Sequence, residues 1–291
     1  MKGVEFVERY LELSREKETM LCVGVDPAVA GMRDKYVIPQ EYVDRLGLAQ
    51  AVKEFSLGII EAAGPYTALV KPNAQFLLYV LGLEDLREVV EAIHEAGCLA
   101  LLDAKLSDIG TTMEAALYWL DQLGFDAVTF SPFPGYENGV DALYKWCEKG
   151  RGIFALCRMS NPGAHDYQSR LMEGEPFYLR LARDAASHGA NGFVVGCTAT
   201  RELLEVREAV GEEPLILSPG LGPQGGDPET ALRYGSNSQG ERLVISSSRS
   251  INYAFEDLGW GFHRFQEAAA QAAKRKRDQL NETRRRLHPK P

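Results

Sequence analysis

With 291 residues, 45% of them hydrophobic and 25% charged, the chain has the make-up of one large globular domain and not of a disordered or membrane-spanning polypeptide. A formal charge of −9 argues against a general nucleic-acid binder, which needs a basic surface to neutralise phosphates. Five widely separated cysteines with no CxxC pair suggest neither a disulfide framework nor a metal site; a charged N-terminus, with no later run near ~18 apolar residues, leads us to expect a cytoplasmic protein without membrane contact.

Short apolar runs recur along the chain, each followed by a turn and then by a segment with helical spacing of its apolar residues. Eight such runs occur, at 20–26 (MLCVGVD), 67–71 (TALVK), 98–103 (CLALLD), 127–130 (AVTF), 152–157 (GIFALC), 192–196 (GFVVG), 214–218 (PLILS) and 242–246 (RLVIS). Helices are expected between them, including 39–63, 84–96, 112–123, 176–188 and 200–210. Continuous apolar strands imply a sheet covered on both faces, and strict strand-helix alternation implies parallel pairing. The expected fold is therefore α/β, a closed (β/α)8 TIM barrel; an open doubly wound sheet is the alternative, since periodicity cannot show closure. We assign 1–273 to this single catalytic domain. Segment 274–291 carries eight Lys/Arg against two Asp/Glu and reads as a basic tail or solvated helix end, with a basic patch that contacts nucleic acid or an anionic surface as the other reading.

A barrel places its functional residues in the loops after the strands. The first strand closes on Asp26 and the second on Lys71. The third ends in Asp103-Ala-Lys105, where alternation puts both charges on one side. Asp108 follows, and Gly110, Thr111 and Thr112 would open a helix, threonine being a good N-cap. A DxK pair at a strand end is often only a structural salt bridge. Buried charges are costly unless paired, so a cluster of them at a barrel mouth is usually kept for chemistry. The fifth strand leads into Ser160-Asn-Pro-Gly, by itself a turn signature, whose hydroxyl suits the edge of an amide-rich ring. After the seventh strand comes a Gly-rich loop with Pro219, Gln224 and Gly225, and after the eighth come Ser248 and Arg249. Loops seven and eight are the usual phosphate grip of this barrel.

Asp103, Lys105, Asp108 and Ile109 form a DxKxxDI pattern, joined here by Lys71-Pro-Asn73, Ser160-Asn-Pro-Gly163, Pro219-Gly-Leu-Gly-Pro-Gln-Gly-Gly226 and Ser248-Arg249. On these motifs the chain resembles the orotidine 5'-phosphate decarboxylases, in particular the single-function, mostly bacterial branch. The first pattern is shared with 3-keto-gulonate 6-phosphate decarboxylases, so the companions decide the substrate. A catalytically silent nucleotide-binding barrel is the reading from another class; it would gain nothing from a carboxylate aimed at its ligand's carboxylate. The resemblance implies cofactor-free conversion of orotidine 5'-monophosphate to UMP and carbon dioxide. Lys105 resembles the acid that protonates C6, Asp103 the group set against the substrate carboxylate, and Lys71 and Asp108 the rest of an alternating Lys-Asp-Lys-Asp chain. It further implies a homodimer in which Asp108 and Thr112 serve the partner's site. Asp26 and Lys71 resemble ribose contacts, Ser160 the uracil contact, and Gln224 and Arg249 the phosphate ligands, within a loop set that includes Pro219, Gly225 and Ser248. Segment 131–138 matches the family only loosely.

Overall fold

The computed structural model describes residues 4–220 and 227–289. Eight parallel strands close a barrel in sequential order: β1 (Leu21–Val25), β2 (Leu69–Pro72), β3 (Leu99–Leu106), β4 (Ala127–Phe130), β5 (Gly152–Arg158), β6 (Gly192–Val195), β7 (Leu215–Pro219) and β8 (Leu243–Ser247). Closure is made by β1 pairing with β8, Leu21 opposite Ile245. Every expected strand is present, and the closed barrel, not the open sheet, is the fold. The continuous apolar runs are buried on both faces because helices cover the outside while side chains fill the inside. The inner filling includes Leu69, Leu101, Phe154, Leu217 and Val244, over the floor supplied by Phe6 and Tyr10 of the N-terminal helix Glu5–Glu16.

Several boundaries differ from the sequence reading. The segment expected as one helix over 39–63 is two, Gln40–Leu46 and Leu48–Ala63, because Gly47 sits between them at φ +81°, where the missing Cβ makes a left-handed residue cheap. The helix after β3 starts at Gly110, not at Thr112; its N-cap is Ile109 in extended conformation, and no threonine side chain caps it. A two-stranded hairpin, Leu171–Met172 with Glu175–Pro176, stands outside the barrel after β5. It was not expected, being too short to carry a periodic signal. At the C-terminus a single helix, Phe265–Leu287, runs through the basic segment with Leu280 and Asn281 buried. Asn281 Nδ2 donates to the carbonyl of Glu18.

Candidate active site

β3 is the longest barrel strand, and its pairing with β4 shifts register between Leu102 and Leu106. Within that irregularity Lys105 takes φ +51°, a conformation that typically costs a non-glycine residue about 1–3 kcal/mol and is kept where function requires it. Thr129 of β4 holds the distortion in place. Its hydroxyl accepts a hydrogen bond from the Lys105 backbone N–H at 3.0 Å and donates to Asp103 Oδ1 at 2.9 Å. The sequence reading missed this residue, since Thr129 stands inside the run AVTF as an ordinary β-branched strand former.

The result is a row of alternating charges. Lys71 Nζ lies 2.6 Å from Asp103 Oδ2, and Lys105 Nζ lies 2.7 Å from Asp103 Oδ1. Burial alone would push the Asp103 carboxyl up, but the two ammonium groups outweigh it and hold the acid well below the usual carboxylate range. For Lys71 burial works to lower the ammonium, and Asp103 followed by Asp26 holds it above the usual lysine range instead. Lys71 and Asp103 have 8% and 14% of their side chains exposed, against 40% for Lys105. Lys105 is thus the most accessible member of the row.

Asp26, Lys71, Ser160, Pro219, Ser248 and Arg249 line one cavity at this end of the barrel. Asp26 is buried, and its Oδ1 has no hydrogen-bond partner among the described residues, so it is an acceptor awaiting a donor. Its backbone N–H donates to Asn252 Oδ1, while Asn252 Nδ2 donates to the Gly24 carbonyl. Gly24 is needed for a second reason: a Cβ there would fall on Ser248 Oγ. Arg249 is exposed and makes no ion pair among the described residues. Arg33, which the sequence reading did not single out, borders the adjoining cavity with Asp26 and Arg249, its guanidinium over the Phe76 and Tyr253 rings.

Asp108 and Thr112 do not join this cluster within the chain. Both are exposed, and Asp108 Oδ1 accepts from its neighbour's backbone N–H, that of Ile109. Gln224 and Gly225 lie outside the described residues.

Between residues 19 and 257 the chain matches the family described as orotidine 5'-phosphate decarboxylase / HUMPS. The chain belongs to that family. It is 35% identical over 284 residues to the orotidine 5'-phosphate decarboxylase of Dechloromonas aromatica (strain RCB), covering 95% of this chain and 98% of that protein. It is 34% identical over 288 residues to the enzyme of the same name from Ralstonia pickettii (strain 12J), covering 97% and 100%. The solved structure of Leishmania donovani OMP decarboxylase is similar to it, with a TM-score of 0.77, 27% identity, and 98% of this chain and 99% of that one covered. The resemblance drawn from the motifs is thus borne out at the level of the family.

Thr129 offers a test of how tightly the charge row is set. Thr129→Val keeps the shape of a residue that is 1% exposed but leaves the Lys105 N–H without its acceptor and Asp103 without one donor. We expect kcat to fall by about 10- to 100-fold, the equivalent of the roughly 1–3 kcal/mol lost with a buried hydrogen-bond partner. Steady-state turnover of the variant checks it. A kcat within twofold of wild type would mean that the hydroxyl does not set the position of Lys105.

Proposed function

We propose that the chain decarboxylates orotidine 5'-phosphate to uridine 5'-monophosphate and carbon dioxide without a cofactor. The observation that carries this reading is the Lys71-Asp103-Lys105 row at the barrel mouth, in a family whose curated relatives are named for the reaction. The C6–carboxylate bond breaks with its electron pair left on C6, in an orbital that the ring delocalises poorly. Fixed charges must then supply the stabilisation. Lys105 Nζ gives its proton to C6 and is reprotonated by water. Asp103 faces the substrate carboxylate, a repulsion worth about 4 kcal/mol at 4 Å and an effective dielectric near 20, relieved as carbon dioxide leaves.

Total barrier reductions of about 8–23 kcal/mol are usual for enzymes, so these two terms need help from binding energy elsewhere in the substrate. Asp26 and Lys71 take the ribose hydroxyls and Ser160 the uracil edge. The phosphate is gripped by Arg249 with Gln224, in a loop setting of Pro219, Gly225 and Ser248. The two glutamine-loop residues are assigned here on the family pattern alone.

A homodimer belongs to the same proposal, with Asp108 and Thr112 entering the partner's site. Supporting it, the helix that follows Asp108 exposes apolar bulk beside Thr112: Ile109 is 57% exposed, Tyr118 57% and Trp119 48%. Thr112 and Trp119 are two helical turns apart and share one face. Buried, unpaired cysteines suit the reducing cytoplasm.

Mixing the inactive variants Asp108→Ala and Lys105→Ala tests the shared site. Each mixed dimer would contain one site with both residues intact, so activity should return to about a quarter of wild type after full subunit exchange. No recovery after exchange has been verified by mass spectrometry would contradict a site built from two subunits.

A further inference from the structure

We propose that Arg158, acting with Gln168 and His165, is a positioning residue for the turn that reads the pyrimidine ring. Arg158 closes β5 and is 4% exposed, a costly place for a cation unless its hydrogen bonds are used. Its nearest carboxylate is Glu202, 3.4 Å from Nε, yet Nε makes no hydrogen bond among the described residues. Beside this ion pair with Glu202, the guanidinium reaches the segment that follows. Nη1 donates to the Met159 carbonyl at 2.7 Å, and Nη2 lies 3.0 Å from His165 Nε2.

A guanidinium only donates, so His165 must offer a lone pair at Nε2 and carry its proton on Nδ1, which lies 3.1 Å from Ser169 Oγ. From the far end of the same turn, Gln168 Oε1 accepts the Met159 N–H at 2.8 Å. Both backbone polar groups of Met159 are therefore held by side chains, one residue before Ser160. Gln168 is itself tied down: its N–H donates to the Ala164 carbonyl, and its carbonyl accepts from Tyr178 N–H. On its other side Ser160 rests against Gly196, where a Cβ would come 2.8 Å from Ser160 Cβ and 2.9 Å from its Cα. The Gly196 N–H donates to the Arg158 carbonyl at 2.8 Å. Ser160 is clamped between an arginine-built turn and a residue whose missing side chain leaves it room.

The inference rests on the proposed contact between Ser160 and the uracil edge, and the experiment separates the two. Binding of uridine 5'-monophosphate and of ribose 5-phosphate to the full-length protein is measured by calorimetry. The second ligand has the same sugar and phosphate but no ring. Wild type should bind the nucleotide more tightly. Gln168→Leu and Arg158→Met should weaken nucleotide binding by about tenfold or more, the loss of one good hydrogen bond, with ribose 5-phosphate unchanged within about twofold. His165→Gln, which keeps an acceptor for Arg158, should retain nucleotide affinity within about threefold. If Arg158→Met does not fold, Gln168→Leu, which removes no charge, carries the test alone. Equal weakening of both ligands, or unchanged nucleotide affinity, would overturn the positioning role while leaving Ser160 as a contact. A wild type that binds both ligands alike would overturn the Ser160 assignment itself, and this inference with it.

Discussion

Lys105→Ala is expected to lower kcat by roughly 10³-fold or more, since it removes the proposed proton donor and with it the cation proposed to face the developing charge; a positioned acid alone contributes about 10²–10⁴. The loss should fall on kcat more than on KM, because the interaction is made chiefly in the transition state. Stability should change little. The Lys105 side chain is 40% exposed, so its ion pair with Asp103 is partly screened and worth little to the fold. A thermal melt beside the kinetics distinguishes a chemical role from a structural one. A variant that keeps kcat within tenfold of wild type would leave the proton donor to be found elsewhere.

Asp103→Ala should be costly in both respects. Removing the carboxylate leaves Lys71 buried and charged with its principal partner gone, and breaking a buried pair from one side typically destabilises by about 3–5 kcal/mol. Activity should fall as well, because Asp103 pairs with both ammonium groups and, in the proposed mechanism, faces the substrate carboxylate. The pH dependence follows from the direction of each shift. Asp103 is held below the usual carboxylate range in the folded protein, so its contribution is complete above the unfolded value, about 3.9. It is lost as pH falls through the lower folded value. Wild type should therefore lose part of its stability below about pH 4, and the variant should lack that part of the acid slope. On the alkaline side the orphaned Lys71 should make the variant gain stability as pH rises, since its uncharged form is the one that tolerates burial. Denaturant titrations at several pH values check both slopes. A variant with the same acid slope as wild type would show that Asp103 is not the group responsible.

The barrel was legible because buried parallel strands announce themselves as continuous apolar runs, and all eight lie where those runs lie. The ends were less so. The third strand reads as ending in Asp103-Ala-Lys105 and in fact runs to Leu106; what the sequence does not show is the register shift against β4 and the positive φ of Lys105, where Thr129, on a different strand, holds the Lys105 N–H. That cross-strand hydroxyl has no local signature. Gly47 did not read as a break because a lone glycine in a helical pattern is usually tolerated; here its positive φ ends one helix and begins the next. Gly110, Thr111 and Thr112 do open the helix, but neither threonine caps it, because the cap position belongs to the extended Ile109. Of the candidate site, Asp26, Lys71, Ser160, Pro219, Ser248 and Arg249 do share a cavity and Asp103 and Lys105 join it through ion pairs, as strand-end placement in a barrel implies. Arg158, at the end of the fifth strand, has no role legible in the sequence, because its contacts to Met159 and His165 are set by the fold of the turn.

The most direct measurement follows the fall in absorbance of orotidine 5'-phosphate with purified protein stripped of metal by chelation, run beside Lys105→Ala. The expected result is full turnover by the metal-free wild type, with uridine 5'-monophosphate as the product, and collapse of the rate in the variant. No turnover by the wild type, or activity that returns only on adding a divalent metal, would contradict decarboxylation driven by the charges of Lys71, Asp103 and Lys105.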